Sequence, residues 1–63
     1  MKEIILKQLT HFPTVTKDQL YRLVKGYKGH ISKREFDETL EELIQEGKVE
    51  GVHLERSFEY RLT

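Results

Sequence analysis

Cysteine is absent from these 63 residues, and proline appears once, at Pro13. The first absence removes disulfide staples and thiolate metal sites, the devices that usually hold very small domains together. The second leaves the chain free to form helices almost anywhere except around residue 13. A chain this short buries only about 60% of the surface its unfolded form exposes. Stability must therefore come from apolar side chains alone, or from a partner or second copy. Long hydrophobic runs are missing as well. Nothing approaches the ~20 apolar residues of a membrane span, and Met1-Lys2-Glu3-Ile4 is too short and too mixed to open a secretory leader. The length allows one domain spanning 1–63, with no linker, repeat or low-complexity stretch. We expect a whole small protein, soluble and cytoplasmic, without membrane association.

An excess of either charge is also lacking, since eleven Lys and Arg balance eleven Asp and Glu. At first this speaks against a polyanionic partner, but distribution matters more than the sum. Residues 17–34 carry Lys17, Arg22, Lys25, Lys28, Lys33 and Arg34 against Asp18 alone. Residues 35–50 carry Glu35, Asp37, Glu38, Glu41, Glu42, Glu46 and Glu50 against Lys48 alone. A basic block is followed directly by an acidic one.

The periodicity predicts three helices and two strands. Residues 2–12 place Ile5, Leu9 and Phe12 on one helical face, flanked by Ile4 and Leu6, until Pro13 stops the helix. So wide an apolar arc fits a central helix packed on two sides, or a dimer seam. Thr14-Val15-Thr16 is extended and leads into a second helix. Its start is marked by Thr16 as N-cap, Gln19 closing a capping box, and Val15 with Leu20 as a hydrophobic staple. Leu20, Leu23, Val24 and Tyr27 line its buried face, with Tyr21 just beside it, and Gly26 or Gly29 ends it. The start repeats at Ser32 with Glu35 and the Ile31–Phe36 staple, opening a third helix. Phe36, Leu40, Leu43 and Ile44 form its buried stripe and Gly47 terminates it. A corner from Gly26 to Ile31 joins helices two and three. The period then changes. Val49, Val52 and Leu54 read as a strand with Gly51 at a bulge, Glu55-Arg56-Ser57 as a turn, and Phe58, Tyr60 and Leu62 as the buried face of a second strand.

Helix, extended piece, helix, helix and hairpin, together with the spacing of Leu40, Leu43, Ile44, Gly47 and Val49, resemble the winged-helix superfamily over essentially the whole chain. In its regulators, Leu-x-x-Leu-[Ile/Val]-x-x-Gly-x-[Ile/Val] leads from the third helix into the wing. The resemblance implies an α+β fold, a three-helix winged helix-turn-helix with a C-terminal β-hairpin wing. It also implies recognition of double-stranded DNA, or of a partner protein, since the scaffold serves both.

For DNA, the resemblance puts Ser32, Lys33 and Arg34 at the leading end of the recognition helix. Lys17, Arg22, Lys25 and Lys28 flank them and Arg56 lies on the wing, so that phosphates meet cations and a helix N-terminus. The plain alternative is a solvated, charge-rich surface. The exposed face of helix three is an obstacle, because Arg34 is followed there by Glu38, Glu41, Glu42 and Gln45. Several glutamates oppose the electrostatic part of DNA affinity, and only the first turn enters a groove comfortably. Glu38–Glu42 and Glu42–Glu46 are like charges four apart, costing a few tenths of a kcal/mol each. The second reading is therefore a protein-interaction module, an adaptor or inhibitor, that uses Glu38, Glu41, Glu42 and Gln45. A lone domain covers few base pairs, so a homodimer belongs among the expected partners.

Catalysis is not expected. His11, His30 and His53 fall on different elements without metal-ligand spacing. Ser32 is accounted for as a cap and Ser57 as a turn residue. Gly26-Tyr27-Lys28-Gly29 lacks both the spacing and the preceding strand of a phosphate loop. We expect no enzyme, cofactor or metal.

Overall fold

The computed structural model describes all residues, Met1–Thr63. The chain runs α1 (Lys2–His11), β1 (Val15–Thr16), α2 (Lys17–Lys28), α3 (Lys33–Gln45), β2 (Val49–His53) and β3 (Phe58–Leu62). The arrangement is α+β and has the layout of a winged helix-turn-helix, with the β2–β3 hairpin as the wing. The sheet is three-stranded and antiparallel, in the order β1-β3-β2. The short extended piece before α2 is therefore a strand, pairing Val15 with Tyr60 and Thr16 with Glu59. The far edge of β2 pairs with no strand.

Local chemistry explains where each helix starts and stops. At α2, the Gln19 amide donates to the Thr16 hydroxyl (3.2 Å) and the Thr16 amide donates to the Gln19 side chain (3.1 Å), completing the capping box. At α3 the box is only half made. The Glu35 amide donates to the Ser32 hydroxyl (3.1 Å), but the Glu35 carboxylate does not return a bond. It stays in water at the positive end of the helix, where its charge is favourable without that bond. Both staples are formed, with Val15, Leu20, Ile31 and Phe36 all buried.

Gly26 stays inside α2, which runs to Lys28, so the corner to α3 is shorter than the glycines imply. Gly29 is the residue that ends the helix, at φ +94, a region that L side chains rarely adopt. After α3 the Lys48 amide donates to the Leu43 carbonyl and the Gly47 amide to the Ile44 carbonyl, both at 3.0 Å. This Schellman pair turns the chain into β2.

The core unites Ile5 and Leu9 of α1 with Val15, Leu20, Val24, Ile31, Phe36, Leu40, Leu43 and Val49. Helix α1 packs against α2, α3 and β3, as a central helix should. The expected core is departed from at three places: Phe12, Tyr27 and the wing. Phe12 is 43% exposed, because the residue before Pro13 is driven to extended geometry (φ −121, ψ 107) and leaves the helical period. Tyr27, at 59%, is exposed in the last turn of α2, where the chain has run past the core; its hydroxyl instead accepts a hydrogen bond from Lys7 of α1 (3.1 Å).

The third departure is in the wing. Phe58 is 47% and Leu62 37% exposed, while Tyr60 between them packs on the core. Strand β1 is only two residues long, and of the three side chains only Tyr60, in the middle of β3, reaches the core cluster. Nor is there a bulge at Gly51, since pairing runs unbroken from Val49↔Leu62 to His53↔Phe58. Unbroken pairing puts Val52 on the opposite face from Val49. Glycine at 51 instead leaves room for the Phe58 ring, which a Cβ there would force to shift.

The two α2 glycines are expected to respond oppositely to alanine. Gly26→Ala, exposed and helical with open space around it, should raise stability by about 0.5–1 kcal/mol. Gly29→Ala should lower it, because alanine is strained at φ +94. Urea unfolding of both variants measures this, and a loss at Gly26 would contradict the helix end assigned here.

Candidate nucleic-acid interface

The α2–α3 corner is built around Tyr21. One helical turn into α2, its ring meets Phe36 edge-on, with centroids 5.3 Å apart and planes at 73°. Its hydroxyl donates to the Ile31 carbonyl at 3.1 Å. The ring is held at both ends, and its outer surface faces two lysines from different helices. Lys25 Nζ lies 6.0 Å and Lys33 Nζ 5.8 Å from its centroid, at the limit for attraction to an aromatic face.

The other basic residues are distributed around this centre, and most have carboxylate partners. Asp18 stands between Arg22 (3.7 Å) and Lys33 (3.9 Å). Lys17 binds Asp37 at 3.0 Å, linking the start of α2 to α3. Arg34 binds Glu38 at 3.2 Å yet keeps a side chain 90% exposed. Lys28 and Arg56 are exposed, Lys28 at the end of α2 and Arg56 alone at the hairpin turn. Ser32 is engaged as the α3 cap. The structure thus gathers Lys17, Arg22, Lys25, Lys33 and Arg34 around one corner and leaves Arg56 apart on the wing.

The acidic face of α3 is also less bare than its composition implies. Lys2 reaches across from α1 to Glu42 (2.9 Å) and Glu46 (2.8 Å), so the like charges four residues apart share a cation. The bonds to Glu46 and then Glu42 raise the Lys2 pKa, and the same Lys2 bond lowers that of Glu46. Lys17 is likewise raised, chiefly by its hydrogen bond to Asp37, against a partial loss of hydration. With Glu38 paired to Arg34, only Glu41 and Gln45 of the four residues of the alternative site make no ion pair. All four, with Lys17 and Asp37, line a shallow groove of about 570 Å³ containing no apolar side chain.

Three contributors were hidden in the sequence: Tyr21 as organiser of the patch, Asp18 as the carboxylate between two cations, and Lys2 as a cross-link to α3. The first two have a local signal, an aromatic and an acid one turn apart from Arg22 and Lys25. The third has none, because 40 residues separate Lys2 from Glu42 and only the tertiary fold joins them. No group of three His, Asp or Glu lies where it could hold a metal ion, and no helix is long and apolar enough to cross a membrane. Compared with protein-family models, with curated protein sequences and with solved structures, the chain matches none.

The Lys2 bridge has a defined pH window. The folded Glu46 value lies below the ordinary 4.5, so its contribution is full above pH 4.5 and lost as pH falls through the lowered value. The folded Lys2 value lies above 10.5, so its contribution is full below 10.5 and lost as pH rises through the raised value. Lys2→Met should therefore lower the melting temperature at neutral pH, with the deficit closing at both extremes. Thermal unfolding across pH checks this, and a deficit that persists in strong acid would point to packing of the Lys2 stem instead.

Proposed function

We propose that this chain is a DNA-binding winged-helix protein, a cytoplasmic transcriptional regulator rather than an enzyme, that grips duplex phosphates through the α2–α3 corner. The observation that carries the reading is the convergence of Lys25 and Lys33, from two helices, on the Tyr21 ring. A cluster assembled by tertiary folding is a stronger pointer to an anion than a run of cations along the sequence. Lys17, Arg22, Lys28, Ser32 and Arg34 extend it, and Arg56 supplies a separate contact from the wing. The acidic face of α3 opposes deep entry into a groove. Its pairing with Lys2, Lys17 and Arg34 reduces that opposition, and the first turn of α3 is the part that approaches bases. Two copies on one site would supply the length of contact that a single domain lacks.

A second reading, a protein partner held by Glu38, Glu41, Glu42 and Gln45, has one observation in its favour. These side chains line a groove without apolar residues, suited to a basic, hydrophilic surface and unsuited to a buried helix.

Binding to random duplex DNA should weaken steeply with salt, and Lys25→Ala with Lys33→Ala should reduce the log–log salt slope by about 2. Fluorescence anisotropy across a salt series measures both. Absence of binding in low salt sinks the DNA reading and leaves the acidic groove as the working surface.

A further inference from the structure

We infer that the cleft between the α2–α3 corner and the wing takes up a single unpaired nucleobase, so that the chain also binds single-stranded nucleic acid. This deepens the proposed DNA reading and rests on it. The cleft is about 380 Å³ and its walls include Tyr21, Phe36, Phe58, Lys33, Asp18 and Asp37. That volume lies at the lower end of the range for small-molecule sites, about 300–1,000 Å³, suited to a base with its sugar.

Phe58 is the informative residue. A single exposed aromatic needs no explanation, but this one is open to the cleft while packed against its neighbours. It is 47% exposed. Its ring meets Tyr60 edge-on at 5.3 Å and His53 at 6.0 Å, and it lies over Gly51, where any side chain would displace it. A half-open ring packed edge-on against two neighbours, in a cleft that Tyr21 also lines, is a stacking platform, and stacking on such rings tolerates any base because every base has a π-face.

The charges at the cleft select the ligand class. Tyr21 and Phe58 with two aspartates could also cage a cationic side chain. Lys17 and Lys33 line the same cleft, and Lys25 shares the Tyr21 ring with Lys33. Asp37 is already bonded to Lys17 and Asp18 stands between Arg22 and Lys33. A cation entering here meets lysines; an aromatic ring carried on phosphates meets partners for both of its parts. The carboxylates accept hydrogen bonds from an exocyclic amino group, as they do from cytosine N4 in duplex recognition.

The test compares three probes in low salt: a short mixed-sequence single strand, the same length built of abasic tetrahydrofuran units, and a duplex. The chain should bind the base-bearing strand about 5- to 100-fold more tightly than the abasic one, the range that alanine substitution gives for loss of one stacked base. Phe58→Ala should erase that preference and leave duplex affinity unchanged. Phe58→Leu, which keeps an apolar cover over Gly51, should do the same, with far-ultraviolet circular dichroism confirming the fold of each. Equal affinity of the parent chain for base-bearing and abasic strands overturns the inference, as does a Phe58 effect of equal size on duplex and single strand. If duplex binds without any base preference, the inference alone fails. If no probe binds, the DNA reading falls with it.

Discussion

The α2–α3 joint rests on one aromatic ring held at two points. Edge-to-face packing of Tyr21 on Phe36 adds about 0.5–1.5 kcal/mol beyond burial, and its hydroxyl gives the Ile31 carbonyl a partner where the backbone turns. Ile31 and Phe36 are themselves buried. The corner therefore cannot open without exposing core side chains and leaving a carbonyl without its bond. Because that geometry is fixed, Lys25 and Lys33 are brought to one place, and so is the cleft whose far wall is Phe58. Packing and surface chemistry share a single residue.

A net charge of zero is realised as neighbouring opposites. Lys2, Lys17 and Arg34 meet the acids of α3, Arg61 meets Glu50 across the hairpin, and Asp18 holds Arg22 and Lys33. Exposed pairs of this kind contribute little stability, about 0–1 kcal/mol each. Their effect is to shape the field: the first turn of α3 and the adjoining face of α2 keep surplus positive charge, while the rest of α3 is screened by its partners. Salt weakens exposed pairs of this kind, so the field they shape depends on ionic strength.

The helices and their order were legible because their signals are local. Thr16 with Gln19, Ser32 with Glu35 and the two staples each span a few residues, and each marks a helix start that the fold keeps. What eluded the sequence depended on partners far along the chain. Val15–Thr16 is a strand only because β3 arrives beside it, and Phe58 and Leu62 stay half-exposed at the two ends of β3, which strict alternation cannot reveal. A glycine inside a strand pattern suggests a bulge, but at Gly51 the missing side chain accommodates a ring on the next strand. Of the candidate site, the cations were visible by composition. Their convergence required the tertiary contact between Tyr21 and Lys33, and the screening of the acidic face required Lys2, on another helix altogether.

The unpaired margin of β2 has a consequence for how chains meet one another. It is a row of backbone donors and acceptors without a strand partner along Val49–His53, the kind of margin on which chains add to one another strand by strand. Its protections are brevity, a glycine in the middle and the charged Glu50 beside it. In a protein without disulfides and with a ten-residue core, those are the features of the strand that oppose such addition.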